Sequence, residues 1–550
     1  MKDIEINTEN GILGAVFGET GLTSLVFDGV EVLRGLSAPV RDPSWGTMKE
    51  DGIATSLVKT EGGWLYTRTA RLADGQARQE MTIRLESEGN GFSVTARFRL
   101  QAEHGFATNR AGFCLLHPLA GLRGAPLHLK HSDGRETATH FPALIAPAQP
   151  ARDIAAMEHR IGAIACSYRF SGEVFEMEDQ RNWSDASYKT YCRPLSLPVP
   201  VRLEAGERIE QEVFITLSRN GSSDPAQSAS QKQQTVRLPE LLLIAEPGTV
   251  AAPPVKPSGW LLREGPDNPF SDDALSAFSD LSGGTPFDLE YITGDDPEAE
   301  LAAFAERLSR LGLAPRHVIA LPDAYLKSYQ PEGPWPDPPT PEDAVKAAAR
   351  AFPAARIGAG MLTLFTELNR CPPPQALGDY VTYGTSAIVH AADTASVFQT
   401  LEALPDIFAS AKAHAGKRPQ RLGLVAIPMR SNPYGAGLAD NPDGGPKTMA
   451  GFDGRHFTGE GAAFAACAVL LAAACGIEAM ALAAPRGPLG LHDANGEPTP
   501  LADMIEALSR FAGAATELVQ HDDGAMTLCG SVGRLHVDPA TRHVTFTEEN

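Results

Sequence analysis

The sequence predicts a multidomain chain of the β plus α/β class: an N-terminal antiparallel β-sandwich, a central (β/α)8-like barrel and a small C-terminal β domain. Three observations predict it. Residues 1–221 alternate apolar and polar side chains with period two, in runs such as GLTSLVFDG, EMTIRLESEGNGFSVTARFRLQ and QEVFITLS separated by Gly, Asn and Asp, the pattern of antiparallel strands with one buried face. Across 258–514 short apolar runs alternate with amphipathic helical stretches, the rhythm of βα units. From residue 515 to 550 hairpin chemistry returns in MTLCGSVGRLHVDPATRHVTFTE, a β cap.

Between the first two regions, 222–257 reads as a linker, because SSDPAQSASQKQQ at its start lacks large apolar side chains. The candidate barrel strands are 259–265, 287–294, 316–323, 356–367, 379–384, 387–393, 421–428 and 478–485, and eight such runs suggest closure. Helices are expected at 298–312, 341–352, 394–415, 459–476 and 500–513. No helix fits between the runs 379–384 and 387–393, which makes that part of the barrel irregular.

A length of 550 residues exceeds what one core serves, and 43% hydrophobic with 21% charged residues is ordinary for chains that bury sizeable cores. Lys and Arg number 47 against 68 Asp and Glu, a formal charge of -21 that repels phosphate backbones and anionic lipid. Nucleic acid and membrane are therefore not expected partners. MKDIEINTEN has no apolar leader, and the longest apolar run, 462–475, is too short to span a bilayer. Seven cysteines are scattered without a CxxC pair, so free thiols in a cytoplasmic protein are expected. A homo-oligomer is compatible with all of this.

Barrel active sites form at the C-terminal ends of the strands. Reading those ends gives Glu264 and Asp267, Glu290, Asp323, then Glu367, Asn369 and Arg370, then His390 and Asp393, then Arg430 and Asn432. Rim carboxylates also serve merely as helix caps. Glu367 and His390 stand out because each is set within an apolar run, where a charge wants a reason. The densest polar cluster is FEMEDQRNWSDASYKTY, residues 175–191, with Glu176, Glu178, Asp179, Asn182, Trp183 and Asp185. On a strand Glu176 and Glu178 share one face with Met177 opposite, a pair suited to a cation, to polyol hydroxyls or to a general base. A solvated turn with local ion pairs is the plainer reading. His117, in FCLLHP, reads equally as a core or a catalytic histidine.

Nucleophile and phosphate motifs are missing: there is no GxSxG elbow, no P-loop, no GxGxxG after a strand and no HExxH. PYGAGLADNPDGG reads as a flap over the barrel mouth. Sandwich, barrel and β cap in that order suggest a glycosidase with Glu367 as acid, but the run LVAIPMRSNPYG carries Arg430 and Asn432 where a nucleophile is expected.

The stretches GFCLLHP, HFPALIAPAQPARDI, EMEDQRNWSDASYKTY, MLTLFTELNR, TSAIVHAADTASVFQTLEALP and LGLVAIPMRSNPYG together resemble the D-apionate lactonase family, bacterial enzymes that open D-apionolactone to D-apionate. The resemblance spans nearly the whole chain and implies a small-molecule sugar lactone as partner and an ester-hydrolase activity. Lactone opening needs a base for water, donors for the oxyanion and groups that hold hydroxyls. The residues suggest Glu367 or Glu176 as base, Arg430 or Arg370 with Asn369 at the oxyanion, and His390 protonating the departing alkoxide. Glu178, Asp179, Asn182, Trp183, Asn369, Arg370, Asn432 and Glu290 are the expected substrate contacts. No metal or other cofactor is expected, a divalent cation remaining compatible. The two clusters cooperate only if the acidic loop reaches the barrel mouth.

Overall fold

Period-two alternation builds a sandwich of two nine-stranded sheets in the first of two units. The computed structural model describes residues 2–9, 11–219, 232–247 and 251–548. By their contacts these fall into Met1–Gln180 with Ser187–Ser228, and Arg181–Ala186 with Ala229–Asn550. The sandwich core lies between the sheets, where Phe17 stacks on Tyr66 at 4.8 Å and Phe27 meets Phe92 edge-on at 5.2 Å. Strand Gly91–Ala102 pairs without a slip with Ala77–Glu88 on one side and Arg208–Arg219 on the other. Gly91 is required there, since a Cβ would sit 1.8 Å from the Leu217 carbonyl oxygen.

His117 belongs to this core. It is fully buried, 2.9 Å from Thr190 Oγ1, and packs against His159 and Tyr168. Burial holds the His117 imidazole well below its ordinary range and His159 down to about 4.

The second unit holds a closed barrel of eight parallel strands: Glu240–Ala245, Gly259–Glu264, Phe287–Thr293, His317–Pro322, Arg356–Leu364, Tyr380–Ser386, Arg421–Ala426 and Ala479–Ala483. Two expectations are corrected. The run 387–393 is no strand, because parallel neighbours need a crossover and none fits after Ser386. The first strand instead comes from the stretch read as linker: ELLLIA, 240–245, pairs with the second and eighth strands and closes the ring. Lys232–Val236, also in that stretch, joins four C-terminal strands in a five-stranded antiparallel sheet. Residues 222–231 and 248–250 lie outside the described residues.

Four of the expected helices are present, as Pro297–Arg310, Pro341–Ala351, Gly459–Ala474 and Pro500–Ser509, and Asp272–Ser282 is an additional one; Ser271, Asp296, and Thr340 in a capping box with Asp343 open three of these. The helix expected at 394–415 is broken into Thr394–Gln399 and Leu404–Ala415, with Pro405 in the first turn of the second piece. Helix Gly459–Ala474 is buried almost all round, and among the described residues no helix is long and apolar enough to cross a membrane. All seven cysteines are unbonded.

His159 yields a pH prediction for the sandwich. Its native imidazole stays neutral to about 4, whereas the unfolded one binds a proton from about 6.5 downward. Stability therefore falls as pH drops through that window, by an amount on the order of 3 kcal/mol for this group. His159→Phe is expected to flatten the decline of the thermal midpoint between pH 7 and 4; an unchanged slope would show that the histidine titrates normally.

Candidate active site

Alternate barrel positions point into the lumen, and near its C-terminal end those positions are charged. Glu290, 2% exposed, takes Arg263 Nε at 2.8 Å and Arg430 Nη1 at 2.7 Å, while Arg430 Nε donates to Glu246 at 2.6 Å. Arg263 Nη2 donates to the Leu362 carbonyl at 2.8 Å. Gly423 makes room, since a Cβ there would come within 3.3 Å of Glu290 Oε1. Burial alone would raise the Glu246 carboxyl, but Arg430 and Arg263 more than offset it and hold it below its ordinary range.

Helix Phe365–Arg370 starts directly after the fifth strand and brings Glu367 back against it. Glu367 Oε2 accepts the Leu364 N–H at 3.1 Å, and Oε1 is buried with no hydrogen-bond partner. Burial pushes this carboxyl up, and the Ser328 hydroxyl, the Leu364 N–H and Arg370 only partly counter it.

The same helix holds Arg181–Ala186. Thr366 Oγ1 donates to the Asn182 carbonyl at 2.6 Å, and Asn369 Nδ2 donates to Asn182 Oδ1 at 3.0 Å. Arg181, fully buried, pairs with Asp406 at 3.0 Å. These pins leave Trp183 and Asp185 beside the loop after the sixth strand. There Asp185 Oδ2 lies 2.6 Å from His390 Nδ1, and the Trp183 ring meets the His390 ring at 5.4 Å. A carboxylate only accepts, so Nδ1 carries the proton and Nε2 is the basic nitrogen. The His390 side chain is 35% exposed. Tyr434 binds the cluster together: its hydroxyl is 2.8 Å from Thr366 Oγ1, and burial and then the charge of Glu367 drive its phenol well above the ordinary range, with Asp185 adding to the effect.

His390 is therefore corrected from a strand residue in an apolar run to a loop residue open to solvent. The carboxylates of the acidic strand lie in the sandwich unit and are engaged there. Glu176 Oε1 accepts Tyr191 O–H at 2.6 Å and Leu195 N–H at 2.8 Å, Glu178 pairs with Lys189 at 2.6 Å, and Asp179 accepts the Ala146 N–H at 3.1 Å. Asn182, Asn369 and Asn432 hold structure: Asn369 also meets His414 at 2.9 Å, and Asn432 bridges the Gly437 carbonyl and the Tyr434 N–H. Arg370 donates to Ser328 Oγ at 3.1 Å and lies 5.0 Å over the Trp183 ring. The start of the expected flap is tied down, with Ser328 N–H donating to the Pro433 carbonyl at 3.0 Å. Sequence reasoning missed the role of Asp185 as partner to His390, and missed Tyr434, Ser328 and Thr363 altogether. Among the described residues no group of three His, Cys, Asp or Glu is arranged to hold a metal. Wider grooves of about 500 and 410 Å³ lie on the sandwich, but charges lining the larger are already paired, Arg97 with Glu212 and Arg99 with Glu210.

Comparison with known proteins gives a consistent result along the chain. Family models of the D-apionate lactonase N-terminal domain and TIM barrel domain match residues 2–220 and 252–513. A D-apionate lactonase of Brucella anthropi is 36% identical over 530 residues, 92% of this chain and 87% of that protein. Among solved structures, a GH36 α-galactosidase of Geobacillus stearothermophilus aligns over 97% of this chain and 91% of its own at 10% identity with TM-score 0.26. A putative aldose 1-epimerase of Escherichia coli K12 aligns over 40% and 99% at 9% identity, also with TM-score 0.26. Likenesses that weak carry no argument.

The environment of Glu367 predicts a trade between stability and function. A carboxyl raised by burial is charged in the native state only at a cost, which grows as pH rises through its folded value. Glu367→Gln is expected to raise the thermal midpoint by about 2–4 °C at pH 8 and by less at pH 4; a lowered midpoint at pH 8 would show that the charge is stabilised in place.

Proposed function

The chain belongs to the D-apionate lactonase family, and we propose that it is a hydrolase opening a sugar lactone, D-apionolactone, to its acid, D-apionate, with a water molecule activated by His390. The 2.6 Å contact between Asp185 and His390 carries this reading. It orients the ring, fixes the tautomer and leaves Nε2 exposed at the barrel mouth, which is what a base for water requires. Trp183 offers an aromatic face beside it for the carbon skeleton of a sugar.

His390 Nε2 takes a proton from water as the water oxygen bonds to the lactone carbonyl carbon. When the tetrahedral adduct collapses, the ring C–O bond breaks and the departing alkoxide takes a proton from Glu367. The acid formed ionises, and solvent returns the imidazolium proton to Glu367. The two roles expected from the sequence are thereby exchanged. The Asp185 contact orients His390 for the base role, and the raised Glu367 carboxyl is assigned the acid role. No covalent nucleophile is involved.

A glycosidase would need two carboxylates facing each other across a bond. Glu290 and Glu246 are both held by Arg430, and Glu264 accepts the Phe270 N–H at 2.9 Å, so Glu367 has no such counterpart. A sugar-binding protein would bind without forming product.

The purified chain is expected to release acid from D-apionolactone, followed with a pH indicator, and none from aryl glycosides. His390→Gln and Asp185→Asn should each lower kcat by roughly a hundredfold or more with the circular dichroism unchanged. Near-normal turnover by His390→Gln would return the base to Glu367, and tight lactone binding without acid release would make the protein a binder.

A further inference from the structure

We propose that a small cavity at the head of the barrel lumen receives the lactone carbonyl oxygen, and after ring opening one carboxylate oxygen of the acid, with Arg430 Nη2 and the Thr363 hydroxyl as its donors. The proposal deepens the lactonase reading and rests on it. The cavity measures about 20 Å³ and is bounded by Arg263, Glu290, Thr363, Thr385, Arg430 and Ser431, room for one oxygen-sized group. Arg430 Nη2 and Thr363 Oγ1 are both buried and make no hydrogen bond. The side chain of Arg430 is 8% exposed and Thr363 is 3% exposed. Guanidinium N–H groups are obligate donors, and leaving one dry without an acceptor is unfavourable unless a ligand supplies it.

Arg430 is also fixed before any ligand arrives. Glu246 holds its Nε and Glu290 its Nη1, and Arg263 in turn holds Glu290. The remaining edge of the guanidinium has one direction left to donate. Two arginines against two carboxylates make a neutral set, so an uncharged carbonyl is accepted in the ground state, and the charge that develops on its oxygen meets a donor already in place. That is the requirement for oxyanion stabilisation. Thr363 is followed by Leu364, which also lines the cavity and whose N–H donates to Glu367 Oε2, so the cavity lies next to the backbone that holds Glu367. In the reaction the π pair of the carbonyl moves onto the oxygen in the cavity as the water oxygen bonds to carbon, and returns as the ring C–O bond breaks.

Calorimetric titration with D-erythronate, a short aldonate that carries the carboxylate of such a product, tests the cavity without catalysis. Wild-type protein is expected to bind it. Arg430→Gln should weaken binding roughly tenfold or more and Arg430→Lys less, since a lysine keeps the charge but not the edge. Thr363→Val, which leaves every ion pair intact, should weaken it several-fold and lower kcat on lactone more than it raises KM. His390→Gln should bind D-erythronate as wild type does. Equal binding by wild type, Arg430→Gln and Thr363→Val, or no binding by wild type at millimolar concentration, would overturn the proposal and leave the cavity to an ordered water. If Thr363→Val weakens D-erythronate while wild type opens no lactone, the subsite stands and the lactonase reading falls.

Discussion

A buried guanidinium is costly unless its charge is met, and two arginines meet carboxylates at opposite ends of the barrel strands. Arg421, at the start of the seventh strand, reaches Asp288 and Glu478 at 2.6 Å and Glu240 at 2.9 Å. Those three come from the third strand, the residue before the eighth and the first. Burial would raise Asp288, yet His317 and Arg421 hold it down to about 2, which favours its ionised form. Removing one carboxylate from such a set typically costs about 3–5 kcal/mol. Ala479 and Ala481 belong to a buried cluster with Leu242, Ile244, Leu261 and Leu424. Arg421 uses its carboxylates to tie the strands into a ring. Arg430 repeats the device at the other end of the strands with Nη2 left without a hydrogen-bond partner.

Six residues do comparable work from outside the barrel strands. In Arg181–Ala186 neighbouring side chains alternate between holding and acting. Arg181 and Asn182 are buried and engaged with Asp406, Thr366 and Asn369, while Trp183 and Asp185 are set against His390. The pins cost the segment its freedom in advance and hold Asp185 against His390.

Much of this was legible in the residues themselves. Period-two runs placed the sandwich, and amphipathic stretches such as 298–312 and 341–352 placed helices, because both signals are local. The first barrel strand escaped because ELLLIA lies between prolines, next to a polar stretch that looks like a connector. Its pairing with the eighth strand spans most of the barrel sequence. Glu367 was legible as a candidate because a carboxylate inside MLTLFTELNR is conspicuous. The pairing of Asp185 with His390 was not, since 205 residues separate them and a run such as AIVHAAD looks the same on a buried strand as on a loop. The acidic strand misled for a related reason: clustering in sequence says nothing of whether Tyr191, Lys189 or a backbone N–H will claim each carboxylate.

Burial by itself does not decide what a carboxylate does; its partners do. Asp288, Glu246 and Glu367 are all withdrawn from water, and desolvation pushes all three upward. For Asp288 and Glu246 an arginine lies within hydrogen-bond distance and reverses the sign, which fixes them as anions and removes them from proton chemistry. Glu367 meets backbone and hydroxyl donors and a more distant Arg370, and the sign is not reversed. Burial therefore keeps the Glu367 carboxyl above its ordinary range. The same reasoning separates the histidines. His117 and His159 are kept neutral by the sandwich core, where protonation is penalised and no water comes. His390 meets the Asp185 carboxylate through Nδ1, and its side chain is 35% exposed. The ionisable groups thus divide into those whose burial is matched by an opposite charge, such as Asp288 and Glu246, and Glu367, whose burial is not.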